Sequence, residues 1–359
     1  MIFYIVFFVF VLLSLLSIDR HSKESYLYLV TLLFFTFLVG SRYASTDYFQ
    51  YQYIYENITD ISKLGLFIYP VSITTPIESG FALFALFIKA IGGDFFLFIF
   101  AFSSISIYLK FRAFRKLSPF FLVSILVYIS DEYFFKDMGQ IRNSMASGIL
   151  LYSFYCIYHG WFFRHVAVVF LAGMFHSFAF IALFLYFVRY FKSRTVMTLI
   201  AIVSFIIAAL GGVGMMIPEV ASGFGLENTS RIIKYTNSEY ADGKSVLSGT
   251  VLFHIFWCFF YIKYYHLLKN KWSYNDILIP IYVYGTCIML VLIDFGIVSA
   301  RVREMICLPA NAVLLPSFLL LFKGQDKILG YLAISGYCLL YFLALMSDFP
   351  YNYQLFFLR

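Results

Sequence analysis

Apolar runs of about 17–25 residues recur along the chain, separated by short polar or basic stretches. Each run is long enough to cross about 30 Å of hydrocarbon as a helix. In lipid only helices and closed barrels satisfy the backbone, and these runs are continuous rather than alternating, so the pattern predicts helices. The expected fold is all-α: one transmembrane domain over residues 1–359 with about 11–13 membrane helices, some of them short or re-entrant. Ile2 to Ile18 has neither a basic leader nor a small-residue cleavage site and reads as a retained first helix. No internal repeat is evident, so the inverted symmetry of many transporters is not expected.

Basic stretches between the runs orient the helices, because short cytoplasmic loops are enriched in Lys and Arg. Asp19 to Ser25, Lys110 to Lys116, Arg164, Arg189 to Arg194, Lys263 to Lys271 and Lys323 to Lys327 are therefore expected inside. Polar loops at about 41–79, 131–140, 218–248 and 294–302 then fall on the periplasmic side. Gly80 to Ala90 spans only about 16 Å as a helix and reads as a partial-depth element. Val166 to Val188 is flanked by basic residues at both ends. Two short arms turning near His176 keep both flanks on one side, and irregular backbone at that depth has to line a cavity or be covered by protein.

Composition agrees with this picture: 62% of residues are hydrophobic and 13% charged, against about 25% charged in soluble domains. The net charge of +7 is carried largely by the short basic loops and is no sign of nucleic-acid binding. The cysteines, Cys156, Cys258, Cys287, Cys307 and Cys338, lie in apolar segments without paired spacing, so neither a disulfide framework nor a metal site is expected.

Four polar clusters map to the same outer side. The first, Ser41 to Tyr51, follows the second helix. It offers Arg42 for a phosphate, Asp47 for a proton, and Tyr48 and Tyr51 as flat faces for sugars, or else as part of an interfacial aromatic belt. In the second, Gln140, Asn143, Ser144 and Ser147 share a helix face behind Arg142. Arg142 sits at a helix N-terminus, where an anion is favoured. The third is His176 within Phe175-His176-Ser177, either a helix–helix hydrogen bonder or a base. The fourth opens a helix with Arg301, Arg303 and Glu304, and one carboxylate cannot readily neutralise two arginines. Arginine suits bidentate phosphate recognition. Several arginines on one membrane face point to a strongly anionic ligand at the lipid boundary, such as a lipid-linked diphosphate.

These residues, in this order, resemble the motifs of the Wzy/EpsG family of bacterial polysaccharide polymerases. The matching stretches are Arg42 with Thr46-Asp47-Tyr48 and Tyr51, then Glu78 to Phe81, Ile141 to Ala146, Ala172 with Phe175-His176-Ser177, and a late arginine, Arg301 or Arg303. The resemblance implies a metal- and cofactor-independent glycosyltransferase at the periplasmic face of the bacterial inner membrane, related in architecture to O-antigen ligase. It would join undecaprenyl-diphosphate-linked oligosaccharide repeats into O-antigen or a related polysaccharide, with a separate chain-length regulator as partner. The growing chain would leave its lipid diphosphate for a hydroxyl of the next unit.

Under that reading Arg142, Arg301 and Arg303, helped by Arg42, stabilise the departing diphosphate. His176 is the first candidate base, Asp47 the second and Glu78 a weaker third. Tyr48, Tyr51, Glu78, Gln140 and Asn143 are the candidate glycan contacts. The rivals are a lipid-linked oligosaccharide flippase or exporter, an O-antigen ligase and a non-catalytic membrane scaffold. Polar residues clustered at one face, rather than along a crossing path, favour the enzyme over the exporter.

Overall fold

The computed structural model describes residues 2–18, 25–43, 45–72, 75–214, 216, 243–348 and 354. Most of the 218–248 loop and the basic residues Arg20 and Lys23 lie outside the described residues. The fold is mostly helical. Phe95–Leu117, Gly249–Lys271, Gly296–Leu321 and Gly324–Ser347 are long and apolar enough to cross a bilayer, and several shorter apolar helices accompany them. The chain is a polytopic membrane protein. It packs as two compact units, residues 1–183 with 311–359, and residues 184–310.

The first unit begins with α1 (Ile2–Leu16), α2 (Ser25–Gly40) and α3 (Tyr48–Asn57). A short hairpin of β1 (Ile68–Ser72) and β2 (Thr75–Glu78) follows, then α4 (Ser79–Ala90) and α5 (Phe95–Leu117). The expected loop at 41–79 therefore contains a helix and an antiparallel hairpin, with Tyr69 opposite Ile77 and both buried. Gly92, at φ 78°, makes the turn ahead of α5, a conformation that suits glycine. The Asp94 side chain caps α5 by accepting from the Leu97 N–H at 2.9 Å. Arg115 and Lys116 occupy its last turn, where the helix dipole favours cations.

The chain returns through α6 (Phe121–Tyr128), which runs into a π-helical segment, Ile129–Asp137, and then descends as α7 (Ile141–His159). The helix α7 runs parallel to α5. Ser144 and Ser106 share a hydrogen bond of 2.9 Å, and a full helix turn and more further on Lys116 lies 3.6 Å above the Tyr155 ring. Since Ser106 is at the middle of α5, α7 starts about halfway along a bilayer-spanning helix. Residues 131–140 are therefore no surface loop. Asp131, Glu132, Lys136 and Asp137 are all buried. They read as a loop in the sequence because charge density usually marks solvent, whereas here Glu132 pairs with Lys136, Asp137 with Lys110 of α5, and Asp131 accepts from hydroxyls.

Lys110 is the clearest case. The sequence groups it with a cytoplasmic basic cluster and places Asp137 outside. The structure brings Lys110 Nζ to 2.7 Å from Asp137 Oδ2, with both side chains at 1% exposure or less. The two groups share one depth and cannot stand on opposite faces of a bilayer. Tyr128 donates to the same carboxylate at 2.5 Å and Ser106 at 3.0 Å, and Ser144 also bonds it. Lys110 donates to Ser144 at 2.6 Å. Every partner comes from a different turn of α5, α6 or α7, so the cluster ties the three helices together.

Beyond α7 the chain forms α8 (Phe162–Gly173), turns, and continues as a 3-10 segment, Ser177–Tyr190. The His165 ring approaches the Leu183 carbonyl at 3.4 Å and the Phe170 and Phe180 rings meet at 5.4 Å. Two short arms thus lie side by side about a turn at 174–176. The C-terminal helix Lys327–Asp348 rejoins the unit through Ser14 and Tyr331 at 2.8 Å and the stacked rings of Phe7 and Phe342.

The second unit packs α9 (Arg194–Ala209), α10 (Gly249–Lys271), α11 (Asn275–Val291) and α12 (Gly296–Val302), the last passing into a π-helical turn, Arg303–Cys307. At one end Lys192 and Lys269 meet Asp276 at 2.5 and 3.0 Å, so two of the basic stretches share that end. At the other, the Gly214 N–H donates to Asp294 at 2.6 Å. A Cβ on Gly212 would stand 2.5 Å from that carboxylate.

Removing one member of a buried ion pair strands the other. Lys110→Met is expected to destabilise the protein by about 3–5 kcal/mol, read as a lower melting temperature in detergent. Adding Asp137→Asn should recover part of the loss. A double variant no more stable than Lys110→Met would show that the ion pair is not what joins these helices.

Candidate functional site

In the first unit three of the four polar clusters converge with the Glu78 stretch about midway along α5. Glu78 ends β2, Arg142 begins α7, and the two form an ion pair. Glu78 is buried, while a quarter of the Arg142 side chain remains exposed. The guanidinium also lies 5.7 Å over the Tyr51 ring, and Tyr51 packs on Phe81 at 5.7 Å. Gly80, the second residue of α4, donates its N–H to the Met174 carbonyl at 2.7 Å. The following residue, Phe175, meets Phe102 of α5 edge-on at 5.8 Å. The turn bearing His176 is thereby fixed against the strand end that holds the Arg142 counter-ion.

Arg42 belongs to the same level of α5. It is 1% exposed, donating to the Val39 carbonyl at 2.5 Å and to Ser103 at 3.3 Å. Its charge thus caps the C-terminal carbonyls of α2, a favourable place for a cation. Buried at that helix end, Arg42 is a structural cation more than the open phosphate fork expected from the sequence. Thr46 adjoins Gly139, where a Cβ would come within 3.6 Å of its hydroxyl. Asp47 is half-buried and immediately precedes α3.

The tyrosines differ from expectation. Tyr48 is buried, with its ring against Tyr43 at 5.7 Å and Phe95 at 5.2 Å. Tyr51 is buried between Phe81 and Arg142. Neither presents an open face on which a sugar could stack. The alternating aromatic pattern reads as a binding surface or belt, but its rings fill space between α3, α4 and α5. Glu78 is likewise the partner of Arg142 before it is a glycan contact. Gln140 accepts from Asn143 at 3.2 Å, and Asn143 is buried. The expected polar stripe on α7 is turned inward, with Ser144 engaged by Lys110 and Asp137.

In the second unit Arg301 pairs with Glu304 at 2.6 Å, one helical turn on. Arg303 points elsewhere, into a recess near the start of α10 that it lines with Lys244, His254 and Ser299. Chemically, each unit therefore supplies arginines on buried framework, one at a helix N-terminus and one on a π-helical turn.

The arrangement matches the order of motifs along the chain, and the EpsG family profile covers residues 25–357. The chain belongs to the EpsG family. Membership ties it to surface-polysaccharide synthesis. Comparison with curated proteins and with solved structures gave no significant match.

Two features of this EpsG-family chain escape the sequence reading. Lys110 and Asp137 lie 27 positions apart, each inside a segment that looks like a loop. Their signal is a lysine four turns into an apolar helix, the first of its basic cluster. His254 sits in the second turn of α10, an apolar run in which an isolated histidine attracts no notice.

Gly80 gives the docking of the His176 turn a direct test. A Cβ there would come 2.7 Å from the Met174 carbonyl oxygen, which is backbone and cannot swing aside. Gly80→Ala is expected to cost about 1–3 kcal/mol and to lower the melting temperature. Gly249→Ala, with open space around it, should leave it within about 0.5 kcal/mol of the parent. Equal melting of the two variants would refute the close approach.

Proposed function

We propose that the chain is the polymerase of its pathway, joining undecaprenyl-diphosphate-linked oligosaccharide repeats at the periplasmic face of the inner membrane. The observation that carries this reading is the convergence of Arg142, Glu78 and the His176 turn on one level of α5, inside the bilayer-spanning part of the fold. Polar groups held at that depth are costly unless they serve a substrate or a structural pair. Arg142 retains exposed surface beyond its pairing with Glu78.

The reaction breaks the anomeric C–O bond of the donor, leaving a lipid diphosphate, and forms a glycosidic bond to an acceptor hydroxyl. Charge develops on the leaving diphosphate, and fixed cations lower the barrier there. Arg142, Arg301 and Arg303 are the cations assigned to the diphosphate groups of the lipid-linked substrates, with Arg42 holding the framework. The acceptor proton needs a base of near-neutral pKa, so His176 is the first assignment and Asp47 the second. Glu78 orients Arg142.

The test is polymerisation by purified protein in detergent, supplied with lipid-linked repeat units alone. The wild type should lengthen chains without a partner protein. Arg142→Ala and Arg301→Ala should each reduce the rate by about 100-fold or more while retaining a cooperative melt. His176→Ala should slow the reaction by about 100-fold if it is the base. Transfer to a lipid A core in place of elongation would make the protein a ligase. Normal elongation by both arginine variants would remove the diphosphate assignment.

A further inference from the structure

The recess in the second unit, which the residue assignments above use for Arg303 alone, has a composition of its own. Lys244, Thr250, His254, Ser299 and Arg303 contribute to its wall, and no carboxylate lines it among the described residues. Its interior has room for about one water molecule. His254 reaches it from the second turn of α10 and is 2% exposed. The imidazole Nδ1 is 2.8 Å from the Tyr282 hydroxyl, while Nε2 has no hydrogen-bond partner among the described residues. Ser299 turns its own proton to the Met289 carbonyl at 2.9 Å, so it offers the recess lone pairs rather than a donor.

A buried polar nitrogen left unsatisfied is unfavourable, and an ionisable group inside a membrane helix marks function by default. The Tyr282 hydroxyl engages Nδ1, which leaves Nε2 as the ring nitrogen open to a ligand of the recess. An imidazole nitrogen flanked by a lysine and an arginine, in a space the size of one oxygen, matches an oxygen of an anion whose body stays at the mouth.

We propose that this recess receives a phosphoryl oxygen of a diphosphate, with His254 Nε2–H as the buried donor and Lys244 and Arg303 as the flanking charges. The inference rests on the glycosyl-transfer reading for the identity of the diphosphate as lipid-linked, but not for the existence of the site. His254 is then a binding residue for the phosphate, distinct from His176 as the base.

Inorganic pyrophosphate, titrated into the full-length protein in detergent by calorimetry, is the probe. Wild-type protein should bind it saturably. His254→Leu should weaken binding at least tenfold, whereas His254→Gln, whose amide places an N–H near the Nε2 position, should stay within a few-fold of wild type. Lys244→Ala, at an exposed position, should weaken binding several-fold without lowering the melting temperature, and this holds the test open should His254→Leu fail to fold. Absent wild-type binding, or unchanged binding in both His254→Leu and Lys244→Ala, overturns the site. Pyrophosphate binding that depends on His254 in a protein that does not elongate lipid-linked repeats would support the site and sink the polymerase reading instead.

Discussion

A charged side chain inside hydrocarbon needs its counter-charge at the same depth, and the first unit is organised around that constraint. Lys110 on α5 and Asp137 at the end of the π-helical segment satisfy each other at 2.7 Å, with Tyr128, Ser106 and Ser144 filling the remaining hydrogen-bond sites. A half-satisfied network of this kind would be worse than an apolar core. Its completeness lets three helices meet around a buried charge pair. It also fixes where α7 starts, since Ser144 lies within the first turn after Arg142. The position of the candidate phosphate-binding arginine is thus inherited from a neighbouring ion pair.

The π-helical segment Ile129–Asp137 carries further buried charges. Such segments insert an extra residue per turn and rotate the following side chains. Here Asp131, Glu132, Lys136 and Asp137 are all buried. Lys136 reaches back to Glu132 at 3.1 Å, and Tyr337 from the C-terminal helix donates to Asp131 at 3.4 Å. The second π-helical turn, Arg303–Cys307, separates Arg301, which faces Glu304, from Arg303, which faces the recess. In both places the irregular helix carries the polar groups, where neighbouring protein can cover the altered backbone.

The run length and continuity of apolar segments made the membrane fold readable in the sequence, and the basic residues on both sides of Val166–Val188 made the doubling back near His176 readable as well. Both are one-dimensional signals: length against bilayer thickness, and charge against side. Pairing is a different kind of information. Lys110 carries the same charge as Arg112 and Lys116, and a rule that counts charges cannot tell the lysine that finds a carboxylate from those that face water. The tyrosines fail for a related reason. Tyr48 and Tyr51 have the composition of a sugar-binding surface, but whether a ring is open or packed depends on Phe81 and Phe95, which arrive from later helices. Arg142 was legible as a cation at a helix start; that Glu78 would meet it from a strand end was not, because the two are 64 positions apart.

The Arg142–Glu78 pair bears on how a diphosphate could be bound at all. A guanidinium has five N–H donors in a rigid fork, and the contact with Glu78 occupies one edge of it. The pairing holds the planar group in a single orientation over the Tyr51 ring, so less side-chain entropy remains to be lost when a ligand takes the other edge. The carboxylate also offsets the cost of keeping a cation at that depth when no substrate is present. A free arginine there would collect any anion or distort the bilayer. An arginine already balanced by one carboxylate gains most from a ligand carrying more than one negative charge, and this distinguishes a diphosphate from a neutral glycan or a lone carboxylate.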